Sequence, residues 1–435
     1  MDPGRARTEV EQIFGTALAG LRPSRLVREA LRLGQSEVVV DGVRHPLPAG
    51  AKLVLIAIGK AAIEMARGAE VALGSRIDRG LVVTKAGFTT GQVPRSVELL
   101  ESSHPVPDER SLAAGQAVLA AVAGLSPEDL VLVLLSGGGS SLVEAPKPGI
   151  SLDDLKRATE QLLRAGADIW VLNEVRRRLS LLKAGGLARA AAPARIVNLI
   201  ISDVLGSPLS VIASGPSVDP GVETLDVQAA MRALGVWHEL PVAVRRALEE
   251  SAPAEPVWNV VQSVILADAR LLGERVRAAA EGLGYRAVVL GERFTGEARE
   301  FACFWSELAR YVRRYAEPWQ PPVCLVGTGE LTVTVRGPGQ GGRNTEMALA
   351  AALQLAGMSD VAVASLASDG DDGLSGAAGG VVTGRTAGDI LAAGLDPRKL
   401  LVDNDSARGL AAAGALLVTG PTGTNMNDVY LALLP

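Results

Sequence analysis

Cysteine and histidine are nearly missing from this 435-residue chain, which has two of the first and three of the second. Cys303 and Cys324 have no metal-ligand companions at useful spacing, so neither a zinc site nor a disulfide framework follows, as suits a reducing cytoplasm. His45, His104 and His238 show no His-Asp-Ser order, which argues against a hydrolase triad or a three-histidine metal centre. No apolar run approaches the roughly 18 residues of a membrane span. Met1 to Leu33 is charged throughout and lacks the apolar core of a signal peptide. A net charge of −5 lacks the basic excess that a nucleic-acid partner calls for. A cytoplasmic protein with neither a nucleic-acid nor a membrane partner is expected; a homo-oligomer is left open. No G-x-x-x-x-G-K-[ST] occurs, so a P-loop is excluded. Lysine is scarce too: seven of the 43 basic residues. A lysine at a strand end is therefore read for its point charge.

What is present is a globular α/β composition, 48% hydrophobic and 21% charged. The length favours more than one domain. Strands are expected at 53–58, 80–84, 97–100, 130–135 and 195–202. Helices are expected at 61–73, 111–123, 152–166 and 170–182, after a helical N-terminus broken at Arg22-Pro23. Strands alternating with helices of ten or more residues imply a parallel sheet. Ser251–Pro256 reads as a linker, giving domains at 1–255 and 256–435, with residues 1–40 able to pack on the other domain. Beyond it come a strand at 261–267, a helix at 268–282, a strand at 286–290 and an alternating, half-exposed strand at 332–336. Two final strands, 415–419 and 428–433, are joined by the loop 420–427. This grammar predicts a mixed sheet.

The chemistry lies in the loops. Leu130–Leu135 reads as a strand buried on both faces, and Ser136-Gly-Gly-Gly-Ser-Ser141 follows it. Ser136, Gly137, Gly138, Gly139 and Ser140 can aim N–H groups at one anion. Lys60 stands where the strand 53–58 turns into a helix, suited to a phosphoryl group or a carboxylate. Asp203, at the end of the strand 195–202, is placed to anchor Mg²⁺ or to accept a proton from a hydroxyl, and equally to cap a turn. Arg176 sits in a run of three arginines that reads as a solvated face or, at that one position, as a carboxylate partner. Gly337, Gly339 and Gly342 match G-x-G-x-x-G, with Asp369 at the distance of a ribose partner, but Arg343 at the helix entrance suits a polyphosphate better. Asp369, Asp371 and Asp372 form either a metal site or an acidic turn. Glu330 and Asn425 lie in polar loops that fit the same site.

Together these stretches resemble glycerate 2-kinases, the type-2 glycerate kinase family with a C-terminal MOFRL domain. The matching segments include Gly59-Lys60-Ala61, His104-Pro-Val-Pro-Asp-Glu109, Ser136–Ser140, Asn173–Gly186, Ser202-Asp203, Ala213–Pro216, Gly339–Asn344, Ser368–Asp371 and Gly420–Asn425, covering nearly the whole chain. The resemblance implies two α/β domains: a larger Rossmann-like parallel-sheet domain and a smaller mixed-sheet C-terminal domain, with the active site in the cleft between them. It implies phosphorylation of the 2-hydroxyl of D-glycerate by ATP with Mg²⁺ or another divalent cation. Lys60 and Arg343 would be the key cations, Asp203 the carboxylate nearest the chemistry, and Asp203 or Asp369 the metal ligand. The sequence departs from the family at Thr328, where Gly is usual, and at Leu205-Gly-Ser-Pro208; both bear on substrate preference. The competing readings are an NAD(P)-dependent hydroxypyruvate reductase, resting on the glycine fingerprint, and a non-catalytic sensor of a sugar acid or nucleotide.

Overall fold

The computed structural model describes residues 1–89, 92–167, 169–219, 226–250 and 257–435; the expected linker 251–256 lies outside them. The chain divides into two compact units, Pro23–Leu266 and Met1–Arg22 together with Ala267–Pro435.

The Pro23–Leu266 unit is built on a six-stranded sheet. Across it run Glu98–Ser102, Arg79–Lys85, Leu53–Ile58, Leu130–Leu135, Arg195–Ile201 and Val260–Ala267. The first five pair in parallel register. Numbered within this sheet in chain order, the spatial order is 3-2-1-4-5-6, that of a doubly wound nucleotide-binding fold. Leu53–Ile58 and Leu130–Leu135 are apolar at every position because helices cover both faces, and every residue in them is buried. Val260–Ala267, expected in the second domain, is the sixth strand of this sheet. Four helices, Leu152–Arg164, Ile169–Leu179, Val227–Ala233 and Val242–Glu249, close a separate core around Leu162, Leu172, Met231 and Trp237. A small antiparallel sheet of Leu31–Leu33, Glu37–Val40 and Val43–Pro46 was not expected from the helical pattern preceding it.

The other unit carries a mixed six-stranded sheet, in the order Arg286–Phe294, Val323–Gly329, Asp428–Leu434, Ala362–Ala367, Gly379–Thr383 and Leu416–Leu417. The first pair is parallel and the other pairs antiparallel. Its core gathers Trp305, Tyr430, Phe294 and Phe301, with Phe301 and Trp305 stacked at 5.4 Å. The N-terminal helix Pro3–Gly20, capped by Asp2, belongs to this unit. Residues 333–336 form no strand, and Thr332 makes only an isolated bridge to Glu297. The apolar alternation there reflects a loop partly packed on the core, with Leu331 buried and Val335 exposed. The sheet position instead belongs to Val323–Gly329, a continuous buried run. No helix among the described residues is long and apolar enough to cross a membrane.

Candidate active site

In the doubly wound unit the strand order reverses between Leu53–Ile58 and Leu130–Leu135, and the loops leaving both carboxyl ends meet there. The Lys60 N–H donates to Gly137 O at 2.9 Å, and the Ser136 N–H to Ile58 O at 2.9 Å. Ser136 Oγ accepts from the Ala61 N–H at 3.0 Å. Gly59 has to be glycine: its φ is +132°, and a Cβ would lie 2.2 Å from Ser136 Oγ. Gly138, at φ +85°, starts the short helix Gly139–Leu142. The N–H groups of Gly137, Gly138 and Gly139 donate to no acceptor among the described residues. Ser140 Oγ meets Ser214 Oγ at 2.8 Å, which ties the loop to the turn beyond Asp203. Asp203 is half-buried and follows Arg195–Ile201, one strand over from Ser136.

The arginine run is not a solvated face. Arg177 and Arg178 both pair with Glu174 and are only 15% and 14% exposed. Arg176 is half-buried; burial lowers its pKa, while the Glu144 charge opposes that. Glu144 is itself buried and ion-paired with Lys183.

In the mixed-sheet unit Arg343 opens the helix Arg343–Gln354. Its Nε and Nη2 donate to the two oxygens of Asp428 at 2.5 and 3.0 Å, and its Nη1 lies 3.0 Å from Glu330 Oε1. Burial works against the guanidinium charge, but Asp428 and Glu330 outweigh it and hold the pKa above its ordinary value. Asp428 is 1% exposed, and burial pushes its pKa up to about 6 although Arg343 pulls the other way. Asn427 Nδ2 donates to Glu330 at 3.3 Å. The loop carrying Asn425 is tied to the acidic turn, where the Met426 N–H donates to Ser368 Oγ at 2.8 Å and the Thr422 N–H to Asp369 O at 3.1 Å. Arg343, Glu330, Asp369 and the Asn425 loop therefore form one connected set.

Two features left open by the sequence are resolved here. The 337–342 loop is not an anion cradle, because all of its N–H groups but that of Gly341 are taken. Arg336 and Gly337 donate to Asn404 Oδ1 at 2.7 and 3.0 Å, Gly339 to Asp403 O at 2.9 Å, Gln340 to Asp405 Oδ1 at 3.1 Å and Gly342 to Thr345 Oγ1 at 2.8 Å. A Cβ at Gly337 would sit 2.3 Å from Asp403 O, so close packing on another loop explains the glycine. Nor do the three acids act alike. Asp372 is buried and caps the helix, accepting the Asn344 and Thr345 N–H groups at 2.9 and 2.8 Å, while Asp371 is exposed. Thr328 is buried as well, and its hydroxyl donates to Ala269 O at 2.9 Å, so the departure from Gly serves packing.

Comparison with known proteins decides the family. Residues 9–249 match a domain of unknown function (DUF4147), and residues 323–428 match the MOFRL family. The D-glycerate 2-kinase of Thermotoga maritima is 37% identical, over 100% of this chain and 99% of its own. The chain belongs to the glycerate 2-kinase family. A crystal structure of the Thermotoga maritima glycerate kinase superposes with a TM-score of 0.87, covering 98% of this chain and 99% of that one. A relative from Agrobacterium vitis, 37% identical over 99% of this chain and 94% of its own, carries a provisional hydroxypyruvate reductase name.

Among the described residues of this glycerate 2-kinase family member, no cluster of three or more His, Cys, Asp or Glu could hold a metal ion. An ion held here would therefore have at most two such side-chain ligands, which is how Mg²⁺ often sits when nucleotide phosphates supply the other oxygens. Sequence reasoning missed Asp428 and Asn404, which lie far along the chain from Arg343 and Gly337. It also passed over His104, set aside once no triad was found.

Proposed function

We infer that this chain transfers the γ-phosphoryl group of ATP to the 2-hydroxyl of D-glycerate, giving 2-phosphoglycerate and ADP. The observation that carries the reading is the set of open Gly137–Gly139 N–H groups beside Lys60 at the switch point, in a chain related along its whole length to a D-glycerate 2-kinase. Phosphoryl transfer requires alignment and charge neutralisation more than covalent chemistry. The glycerate oxygen forms a bond to the γ-phosphorus, the bond from that phosphorus to the β–γ bridging oxygen breaks with its electron pair staying on ADP, and the hydroxyl proton passes to Asp203 or to water. Lys60 neutralises charge between substrate and phosphoryl group, and the Ser136–Ser140 loop and Arg176 hold the carboxylate. Arg343, kept charged and aimed by Asp428 and Glu330, stabilises the transferring group, while Asp203 orients the attacking hydroxyl. Glu330, Asp369 and Asn425 contact the nucleotide or the substrate. Mg²⁺ on Asp203 or Asp369 would supply further charge neutralisation.

The reductase reading loses its main support, because the three fingerprint glycines donate their N–H groups within the protein and no strand leads directly into them. The deciding experiment incubates the protein with D-glycerate, ATP and Mg²⁺ and separates 2- from 3-phosphoglycerate. Formation of 2-phosphoglycerate is expected. NADH oxidation with hydroxypyruvate, or stoichiometric binding without turnover, would replace the kinase reading by the reductase or the sensor.

A further inference from the structure

His104 lies in the loop after the edge strand Glu98–Ser102, yet it reaches the glycine loop of a strand three positions across the sheet. A Cβ built on Gly138 would lie 3.0 Å from His104 Cδ2, 3.3 Å from its Nε2 and 3.6 Å from Lys60 Cγ. One edge of the imidazole therefore packs beside Gly138, next to the Lys60 side chain. The ring is half-buried, and neither nitrogen has a hydrogen-bond partner among the described residues. Its loop is fixed from the other side: Asp108 caps the helix Glu109–Val122 in a capping box with Ser111, and Ser102 Oγ meets Ser111 Oγ at 3.0 Å.

We propose that His104 is a substrate-contacting residue of this site, its Nε2 edge hydrogen-bonding the hydroxyl of a bound 2-hydroxy acid whose carboxylate lies toward Lys60 and the glycine N–H groups. The ligand class follows from the donors and acceptors around Gly138. Ammonium and backbone N–H groups are donors only, which suits a carboxylate or phosphate. A neutral imidazole adds what they lack, a lone pair for an O–H proton. Burial, with Lys60 and Lys85 adding to it, pushes the His104 pKa down to about 4, so the neutral ring is the form present at neutral pH. A fully ionised phosphate alone has no proton to give that lone pair, whereas a hydroxy acid offers a carboxylate and a hydroxyl together. No proton transfer to the ring is required: the contact holds the hydroxyl in the ground state, and its proton passes to Asp203 or to water as the bond to phosphorus forms.

The proposal rests on the kinase reading above, and its test keeps the two apart: wild-type turnover tests that reading, and the ratio of variants tests this one. His104→Gln retains a polar group near the Nε2 position, while His104→Leu fills similar space without one. His104→Leu is expected to lower kcat/KM for D-glycerate about 10-fold or more, with KM for ATP unchanged, and His104→Gln to stay within about 3-fold of wild type. Thermal melting checks that both fold. Independently of turnover, the ring ¹⁵N resonances of His104, assigned by their loss in His104→Gln, are expected to shift when D-glycerate is added to wild-type protein. A His104→Leu variant as active as wild type, equal losses in the two variants, or ring resonances that D-glycerate leaves in place would each overturn the proposal.

Discussion

The glycine loops Ser136–Ser141 and Gly337–Arg343 look alike as sequence, each rich in glycine and each running into a helix. In the structure they do opposite things with the same backbone groups. The first keeps the N–H groups of Gly137, Gly138 and Gly139 open at the switch point of a parallel sheet. The second gives most of its N–H groups, Gly341 excepted, to Asn404, Asp403, Asp405 and Thr345 and serves as a wall on which the 403–406 loop packs. The cations beside them differ as well. Lys60 enters on a strand-to-helix turn, whereas Arg343 is clamped by a buried carboxylate and by Glu330. Glycine content alone does not make an anion site; the site depends on what else reaches the backbone.

The largest expected effect separates the two cations. Lys60→Ala should lose about 10²-fold or more in kcat with little change in melting temperature. Arg343→Ala should lose comparable activity and, because Asp428 is left buried and unpaired, about 3–5 kcal/mol of stability. Steady-state kinetics together with urea unfolding read both; an Arg343→Ala protein as stable as wild type would break the distinction. Next come the glycines. A Cβ at Gly339 would lie 2.5 Å from Asp403 O, so Gly339→Ala should cost about 1–3 kcal/mol while the surviving folded protein turns over nearly normally. Gly138→Ala crowds His104 and strains a positive φ, so its main loss should be in kcat/KM for glycerate. Should both variants lose turnover equally, the two loops would not differ in role.

A smaller effect is a pair of opposed pH slopes in thermal stability. His104, lowered to about 4 in the folded protein, contributes stability above its ordinary value of 6.5 that is lost as pH falls through about 4. Asp428, raised from 3.8 to about 6, contributes stability below its ordinary value that is lost as pH rises through about 6. Between about pH 4 and 6 the two slopes oppose each other. Melting temperature followed over that range should gain a more negative pH slope in His104→Gln and a more positive one in Asp428→Asn. Unchanged slopes would show that neither group is perturbed in this way. Smaller again is Asn404→Ala, expected to cost about 1–3 kcal/mol by leaving two loop N–H groups unpaired, with kcat preserved in the folded fraction.

The parallel sheet was legible because fully buried strands leave continuous apolar runs, as in Leu53–Ile58 and Leu130–Leu135. The placement of Lys60 and Asp203 was legible because residues just past such strands occupy the carboxyl edge of the sheet. The strand expected at 332–336 failed because alternation in five residues does not distinguish a half-exposed strand from a loop lying on a core. The small sheet of residues 31–46 escaped notice because its strands are only three and four residues long. Asp372 was read with its neighbours as a ligand or a turn, since nothing local shows that the helix at Arg343–Gln354 begins against it.

The order of apolar runs, turns and cations in this chain was enough to determine an α/β architecture, two glycine-rich turns and the two positive side chains near them. Only the folded chain decided which turn keeps its N–H groups open and which cation is clamped. Apart from Thr345, the acceptors that close the second turn lie more than sixty residues away, and Asp428 lies 85 residues from Arg343. Hydrogen-bond satisfaction depends on which distant groups tertiary packing brings within about 3 Å, and no local pattern encodes that proximity.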